Sequence, residues 1–488
     1  MSDLSVETTR IPGLLVVRLP VHEDNRGWFK ENWQRAKMTA LGLPDFGPVQ
    51  HNVSFNAHRG ATRGVHTEPW DKFVSILSGR AFGAWVDMRE GESFGQVVHI
   101  DLDPSTAVFV PRGVGNSYQA LEDGTVYSYL VNDHWRPGQT YPALNLADPT
   151  VAIPWPIPLA QAEISEKDQT TPMLGEVEPM KPRKTLIIGA LGQLGRALQA
   201  EFPHADLVDL PAALGETSEP LVEQRAPASV VETAPQPLDI TDPDQVAAWP
   251  WGEYGVVLNA AAYTNVDGAE TAEGRRIAWA ANAGAPATLA RLGAEHGFTL
   301  VHFSSEYVFD GTVDPHTEDE PLSPLGVYAQ TKAAGDVAVA TTPRHYLLRT
   351  SWVIGEGKNF VRTMAHLAAT DVSPSVVDDQ VGRLTFTDEL ARATRHLLDI
   401  GADFGTYNLS NGGDPTSFAE IAKAVFALAG RSADEVTPVS TADYFAGKDL
   451  APRPLRSTMD LSKIESTGFV PQDAMVALRD YLARYSAG

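Results

Sequence analysis

The chain is 488 residues long, with 43% hydrophobic and 20% charged residues and a net charge of −24. That length exceeds one ordinary core and predicts roughly two to four domains. The acidity disfavours a nucleic-acid partner, and the lack of cysteine excludes disulfides and thiolate metal sites. The polar N-terminus, MSDLSVETTR, carries no secretory signal, and no apolar run is long enough to span a bilayer. A soluble, cytoplasmic protein with no membrane partner is expected.

The first 157 residues alternate short apolar runs with turns. Strands are predicted at Gly13–Leu19, Lys72–Leu77, Ala81–Val86, Val97–Leu102, Ala107–Val110 and Thr125–Val131, and a helix near Asn32–Leu41. Closely spaced strands bounded by Ser78-Gly79, Asp103-Pro104 and Asp123-Gly124 point to an all-β sandwich or barrel. Residues 158–184 are polar and punctuated by proline, and read as an interdomain linker.

From Thr185 the rhythm changes, and residues 185–488 form the second predicted domain. Strands at Thr185–Ile188, Val256–Asn259, Thr299–Phe303 and Tyr346–Arg349 alternate with helices at Leu194–Glu201, Ala278–His296 and Tyr328–Ala340. Such alternation predicts an α/β doubly wound parallel sheet. The Glu-, Ala- and Pro-rich stretch Pro211–Pro237 reads as a long mobile insertion.

Three strings carry the chemistry of this half. Gly189, Gly192, Gln193, Leu194 and Gly195 follow a strand and open a helix, where glycines admit backbone N–H groups to a pyrophosphate. Alone such a turn is a weak motif, since glycines also serve packing. Tyr328 and Lys332 are four apart and share a helix face. A carbonyl that accepts hydride needs a proton; a phenol beside an ammonium can supply it, and the ammonium is expected to lower the phenol's pKa. Ser305 could orient the carbonyl oxygen. Asp239 stands at a predicted strand end, where it could meet a cofactor or simply close a turn. Ala260, Ala261 and Ala262 are small enough for close approach to the cofactor, or for helix packing.

Asn259-Ala-Ala-Ala-Tyr-Thr-Asn-Val-Asp-Gly-Ala-Glu270, Ser304-Ser-Glu-Tyr-Val-Phe-Asp-Gly311, Tyr328-x-x-x-Lys332, Leu348-Arg-Thr-Ser-Trp-Val353 and Val377-Asp-Asp-Gln-Val-Gly382 closely resemble the dTDP-4-dehydrorhamnose reductases, extended short-chain dehydrogenases. The resemblance implies a Rossmann domain with a smaller substrate-binding part. It implies catalysis by Tyr328, Lys332 and Ser305, an adenine contact at Asp239, and a sugar site lined by Thr264 and Trp352. The family usually has Thr-Asp where this chain has Ser305-Glu306. NADPH is the implied cofactor, with NADH open; some relatives involve magnesium, for which no ligand cluster is evident here.

In the first half, His66 with a carboxylate behind it would make a base, and Asp148 is the candidate carboxylate. Lys72 could stabilise an enolate. A structural histidine is the alternative reading. Asp24-x-Arg26-Gly27-x-Phe29-x-Glu31, Gln50-x-Asn52-x-Ser54, Arg63-Gly64-x-His66, Lys72, Val86-Asp-Met-Arg89 and Asp148-Pro149 resemble dTDP-4-dehydrorhamnose 3,5-epimerase over residues 10–157. This resemblance implies a cupin-type jelly roll, a homodimer formed through it, and a deoxythymidine diphosphate site at Arg26, Glu31, Gln50, Asn52 and Arg63. The chain departs from the family pattern at Thr67-Glu68, at Asn116 where the family has histidine, and at Trp135 where it has tyrosine. Indole is no proton donor comparable to a phenol; Tyr118, Tyr129 or Tyr141 could substitute.

The two resemblances together imply a bifunctional enzyme acting on a dTDP-sugar: epimerisation at C3 and C5, then reduction of the C4 ketone to give dTDP-L-rhamnose. The alternatives are an active reductase behind a silent or single-carbon epimerase-like domain, and a regulatory subunit that binds another enzyme.

Overall fold

The computed structural model describes residues 3–135, 138, 141–209 and 236–486. The insertion expected between Pro211 and Pro237 lies outside the described residues as far as position 235. Two compact units divide at Pro182/Arg183. No described helix is long and apolar enough to cross a membrane.

The first unit is built from two facing sheets. One runs in the order Ser5–Thr8, Leu15–Arg18, Thr106–Val110, Lys72–Ser78, Thr125–Val131, Gln50–Asn56. The other runs Glu163–Ile164, Ala61–His66, Val114–Ala120, Ala81–Asp87, Val97–Leu102. Val74, Ile76, Val108 and Val110 from the first sheet meet Trp85, Leu102, Val114 and Tyr118 from the second in one buried core. Edge strands such as Val97–Leu102 alternate between buried and exposed residues, with one face in the core and one in water. The helix expected at Asn32–Leu41 is a short one, Arg35–Thr39, capped by Gln34.

The stretch read as a linker folds instead as part of this unit. Glu163 and Ile164 pair in parallel with Ala61 and Thr62. Ser165 caps a turn of helix, Glu166–Gln169. Met180 exchanges backbone hydrogen bonds with Met88 and Glu90. Polar composition misled here because the segment satisfies its backbone by joining a sheet edge and capping a helix, which needs few apolar residues.

The second unit carries a seven-stranded parallel sheet in the order Gln236–Pro237, Asp206–Asp209, Lys184–Ile188, Tyr254–Asn259, Thr299–Ser305, His345–Thr350, Gly405–Asn408. Its central strands are buried on both faces: Leu186 and Ile188 enter one core, Ile187 the other. Strand order reverses between Lys184–Ile188 and Tyr254–Asn259, so the loops leaving these strands diverge and open a crevice at their C-terminal ends.

The helix expected at Ala278–His296 is interrupted. Ala272–Trp279 and Ala285–His296 are joined by a π-helical turn, Ala280–Gly284, just before Pro286. Proline lacks the N–H that would continue the ladder. The turn fits under the Tyr328 helix, Val327–Val339: a Cβ at Gly335 would lie 2.2 Å from the Asn282 carbonyl. A third core gathers Val361, Met364, Phe386, Val425, Phe426 and Leu478 from the C-terminal helices.

Phe298, fully buried against Trp251 and Leu292 in the sheet core, tests this packing. Phe298→Ala is expected to destabilise the second unit by about 3–5 kcal/mol in a denaturant titration.

Candidate active sites

At the crevice of the second unit, backbones come into contact. Gly189 has φ +81°, and a Cβ there would lie 2.8 Å from Ala261 N; a Cβ at Gly195 would lie 2.1 Å from Gly189 O. No larger residue fits either position. Gly192 precedes the helix Gln193–Glu201 and no side chain caps it, so its first turn offers N–H groups to an anion. These features fit a dinucleotide. Gln193 is tied elsewhere: its side chain accepts from Gly355 N at 3.0 Å and donates to Lys358 O at 3.3 Å. Leu194 packs on the sheet, and Ala260–Ala262 line the facing strand end. Asp239 closes a turn, accepting from Thr241 N at 2.8 Å and Thr241 Oγ1 at 2.6 Å.

Tyr328, Lys332 and Ser305 gather where the Thr299–Ser305 strand ends. Lys332 is buried; Nζ donates to Phe303 O at 2.6 Å and faces His302 Nε2 at 3.4 Å. Burial pushes its pKa down to about 8. The same burial, with Lys332 alongside, holds His302 well below its ordinary value. The sequence missed Glu306. This carboxyl is buried, hydrogen-bonded with Ser305 Oγ at 2.8 Å, and pushed up to about 8 by burial. Only its position beside Ser305 could have flagged it.

The Tyr328 hydroxyl differs from expectation. Burial, and then the Glu306 charge, raise its pKa above the ordinary phenol value, with Ser305 acting against them. In this state the phenol is protonated at neutral pH. Trp352 adopts φ +38°, a strained setting for a bulky residue, and stacks on Phe418 at 3.9 Å between ring centroids. Thr264 is exposed on the loop after Asn259.

In the first unit His66 has a carboxylate partner, but it is Asp168. His66 Nε2 lies 2.8 Å from Asp168 Oδ1, while Gly64 N donates to Oδ2 at 3.3 Å. Burial works to raise the Asp168 pKa; the bond to His66 and its charge outweigh it and hold the group below its ordinary value. Asp148 is structural. Its carboxylate accepts from Thr150 N at 2.7 Å, Val151 N at 3.2 Å and Leu174 N at 2.6 Å. Asp148 is the carboxylate that the resemblance of Asp148-Pro149 singles out; Asp168 lies in the stretch read as a linker. The pattern Ser165-x-x-Asp168 was the available signal, a helix cap with an acid at its third position.

Lys72 is buried and paired with Glu68, four residues before it. Its Nζ lies 5.8 Å from the Tyr129 ring centroid. Burial, then Glu68, push the Tyr129 phenol up to about 12. Asn116 sits opposite His66 in the sheet, and its Oδ1 accepts from Trp85 Nε1 and Tyr127 hydroxyl, both at 2.9 Å. Tyr118 stacks on Tyr127 and bonds Asn56, which also holds Arg63 at 3.1 Å. Tyr141 packs against Trp70. Gln50 and Asn52 bond each other at 2.8 Å, and Trp135 N donates to Gln50 at 3.3 Å. The Trp135 side chain is exposed. Arg26 is paired with Asp24, and Glu31 with Lys37. Both pairs stand in solvent.

A parallel sheet with an uncapped glycine turn and a Tyr–Lys helix at its crevice defines a dinucleotide-dependent carbonyl reductase, here joined to a β-sandwich unit bearing a His66–Asp168 pair. The chain belongs to the RmlD substrate binding domain family over residues 183–487 and to the dTDP-4-dehydrorhamnose 3,5-epimerase family over residues 8–176. It is 48% identical over 186 residues to the RmlC homolog of Streptococcus pyogenes serotype M6, covering 36% of this chain and 92% of that protein. It is 35% identical over 308 residues to the dTDP-4-dehydrorhamnose reductase of Mycolicibacterium smegmatis, covering 62% of this chain and 85% of that one. The crystal structure of the Bacillus anthracis dTDP-4-dehydrorhamnose reductase in complex with NADP matches with a TM-score of 0.51 and 29% identity, over 61% of this chain and 98% of that one.

Asp148 gives a stability test. Burial alone would raise its pKa, but the backbone N–H groups of Leu174, Thr150 and Val151 depress it. Its contribution is therefore present above the ordinary carboxylate pKa and lost as pH falls through the depressed one. Asp148→Asn is expected to cost about 1–3 kcal/mol at neutral pH. Calorimetry should show the gap between the two proteins narrowing below about pH 4.

Proposed function

We propose that the chain performs two consecutive steps on a dTDP-4-keto-6-deoxy sugar: epimerisation at C3 and C5 in a cupin-type jelly roll, then reduction of the C4 ketone in a Rossmann domain. The product is dTDP-L-rhamnose. The observation that carries the reading is the gathering of Ser305, Tyr328 and Lys332 at one strand end: Lys332 donates to the Phe303 carbonyl, Ser305 ends the same strand and bonds with Tyr328.

In the first step His66, oriented by Asp168, takes the proton α to the ketone, and the Asp168 carboxylate stabilises the imidazolium. The Lys72 ammonium stabilises the enolate. Tyr129, whose ring lies against Lys72, returns a proton to carbon in place of the phenol that Trp135 lacks. Gln50, Asn52 and Arg63 hold the nucleotide, together with Arg26 and Glu31. A homodimer through this unit is supported by apolar residues left in solvent: Val53 and Phe55 on the edge strand Gln50–Asn56, and Trp28 and Phe29 on the hairpin that carries Arg26.

In the second step the dinucleotide is held by the turn Gly189–Gly195, by Ala260–Ala262 and by Lys332, with Asp239 at the adenine end. Bound NADPH supplies hydride to C4; NADH is the second candidate. Ser305 donates a hydrogen bond to the ketone oxygen, and Tyr328 gives that oxygen its proton. Thr264 and Trp352 line the sugar. The strained Trp352 backbone matches a residue placed for contact rather than for folding. The supply of NADPH places the enzyme in the cytoplasm.

Two measurements test the reading. In deuterated water the full chain is expected to label the sugar at C3 and C5, and Asp168→Asn to slow labelling on the order of a hundredfold. Unlabelled sugar with wild-type chain would mark the first unit as a silent binder. With substrate and NADPH, Tyr328→Phe is expected to lower kcat by about a hundredfold or more while binding NADPH as the wild type does, measured by fluorescence titration. Retained turnover in this variant would overturn the assignment of Tyr328.

A further inference from the structure

Glu306 is an ionisable group inside the reductase site that the chemistry above does not use. It is 3% exposed and its Oε2 lies 2.8 Å from Ser305 Oγ. No cation pairs with it among the described residues. Ser305 Oγ also accepts from Tyr307 N at 3.2 Å. A hydroxyl has one proton and two lone pairs, so its neighbours decide where the proton points.

Resting on the reductase reading, we infer that Glu306 is a positioning residue whose protonation state sets the direction of the Ser305 hydrogen bond, and with it the ability of Ser305 to polarise the substrate ketone. Protonated Glu306 donates to one lone pair of Ser305 while Tyr307 N donates to the other. The Ser305 hydrogen then points to the Tyr328 side, where the ketone oxygen can take it in place of the Tyr328 hydroxyl. Ionised Glu306 can only accept. It captures the Ser305 hydrogen, and the ketone is left with Tyr328 alone. Ionisation also places a negative charge beside the oxygen that must become an alkoxide.

The surroundings favour the neutral acid at physiological pH. Burial pushes Glu306 up to about 8, against weaker opposing bonds from Ser305 and from the backbone N–H groups of Glu306 and Tyr307. The titratable groups that interact with it are Tyr307 on its own turn and Tyr328 on the facing helix. Arg453 and Asp267, which also act on Tyr307, pair with each other at 2.9 Å. Asp336 is committed to Arg349 at 3.0 Å. Lys332 loses its proton in the same range, so the alkaline limb of the reaction holds two ionisations.

The test is the pH dependence of kcat for NADPH oxidation by the full chain, with saturating, already epimerised dTDP-4-dehydrorhamnose. Wild type, Glu306→Gln, Ser305→Ala and the double variant are compared, each normalised to its own value at pH 7. Glutamine keeps an N–H donor toward Ser305 and cannot ionise. At one pH unit above the Glu306 transition, wild type is expected to have fallen about tenfold further than Glu306→Gln. In the Ser305→Ala background the Glu306→Gln substitution is expected to leave the normalised profile unchanged. Superimposable profiles for wild type and Glu306→Gln would overturn the inference, as would a Glu306→Gln shift that persists with alanine at 305. If Glu306→Gln does not fold, Ser305→Ala alone decides: the steeper part of the wild-type limb must be missing from it. Absence of NADPH oxidation in every form, wild type included, would instead remove the reductase reading on which the inference rests.

Discussion

A lysine ammonium buried under a parallel sheet organises the reductase unit. Lys332 is held by the Phe303 carbonyl at 2.6 Å, one strand residue from Ser304 and two from Ser305. A buried charge is tolerated only with good partners, and here the partner is the main chain of the strand that ends in Ser305. Helix and strand are thereby locked in register. His302 stays neutral beside the cation, and Asp336 one turn later is neutralised by Arg349. Ser305, Tyr328 and Glu306 inherit their positions from this arrangement.

Both units bring ionisable groups into apolar surroundings, and in both the environment sorts them. Asp168 lies below its ordinary pKa because it meets an imidazole and a backbone N–H. Glu306 lies above because burial penalises its charge more than the bonds from Ser305 and the backbone favour it. Tyr129 and Tyr328 are likewise held protonated, chiefly by burial.

Local patterns were legible and distant pairings were not. The glycine turn, the Tyr–Lys helix and the central parallel strands could be read because each depends on residues within a few positions of one another. Strand Gln50–Asn56 was missed because five of its seven residues are polar, and Ala61–His66 because a glycine and an arginine interrupt it. The partner of His66 lies 102 residues away in sequence, in a stretch whose composition resembled a spacer. No periodicity marks a carboxylate that reaches the core from a four-residue helix. The interrupted helix before His296 followed from Pro286, visible in the sequence but outweighed by the long alanine-rich run around it.

The placement of Asp168 also says where this gene could have been assembled. The polypeptide that supplies the histidine's carboxylate continues to within fifteen residues of the junction at Pro182/Arg183. An ancestral join, or a modern cut, made upstream of Glu163 would leave the β unit with a sheet edge unpaired and its imidazole without an anchor. A division at Arg183 leaves the sheet edge paired and His66 with its carboxylate partner.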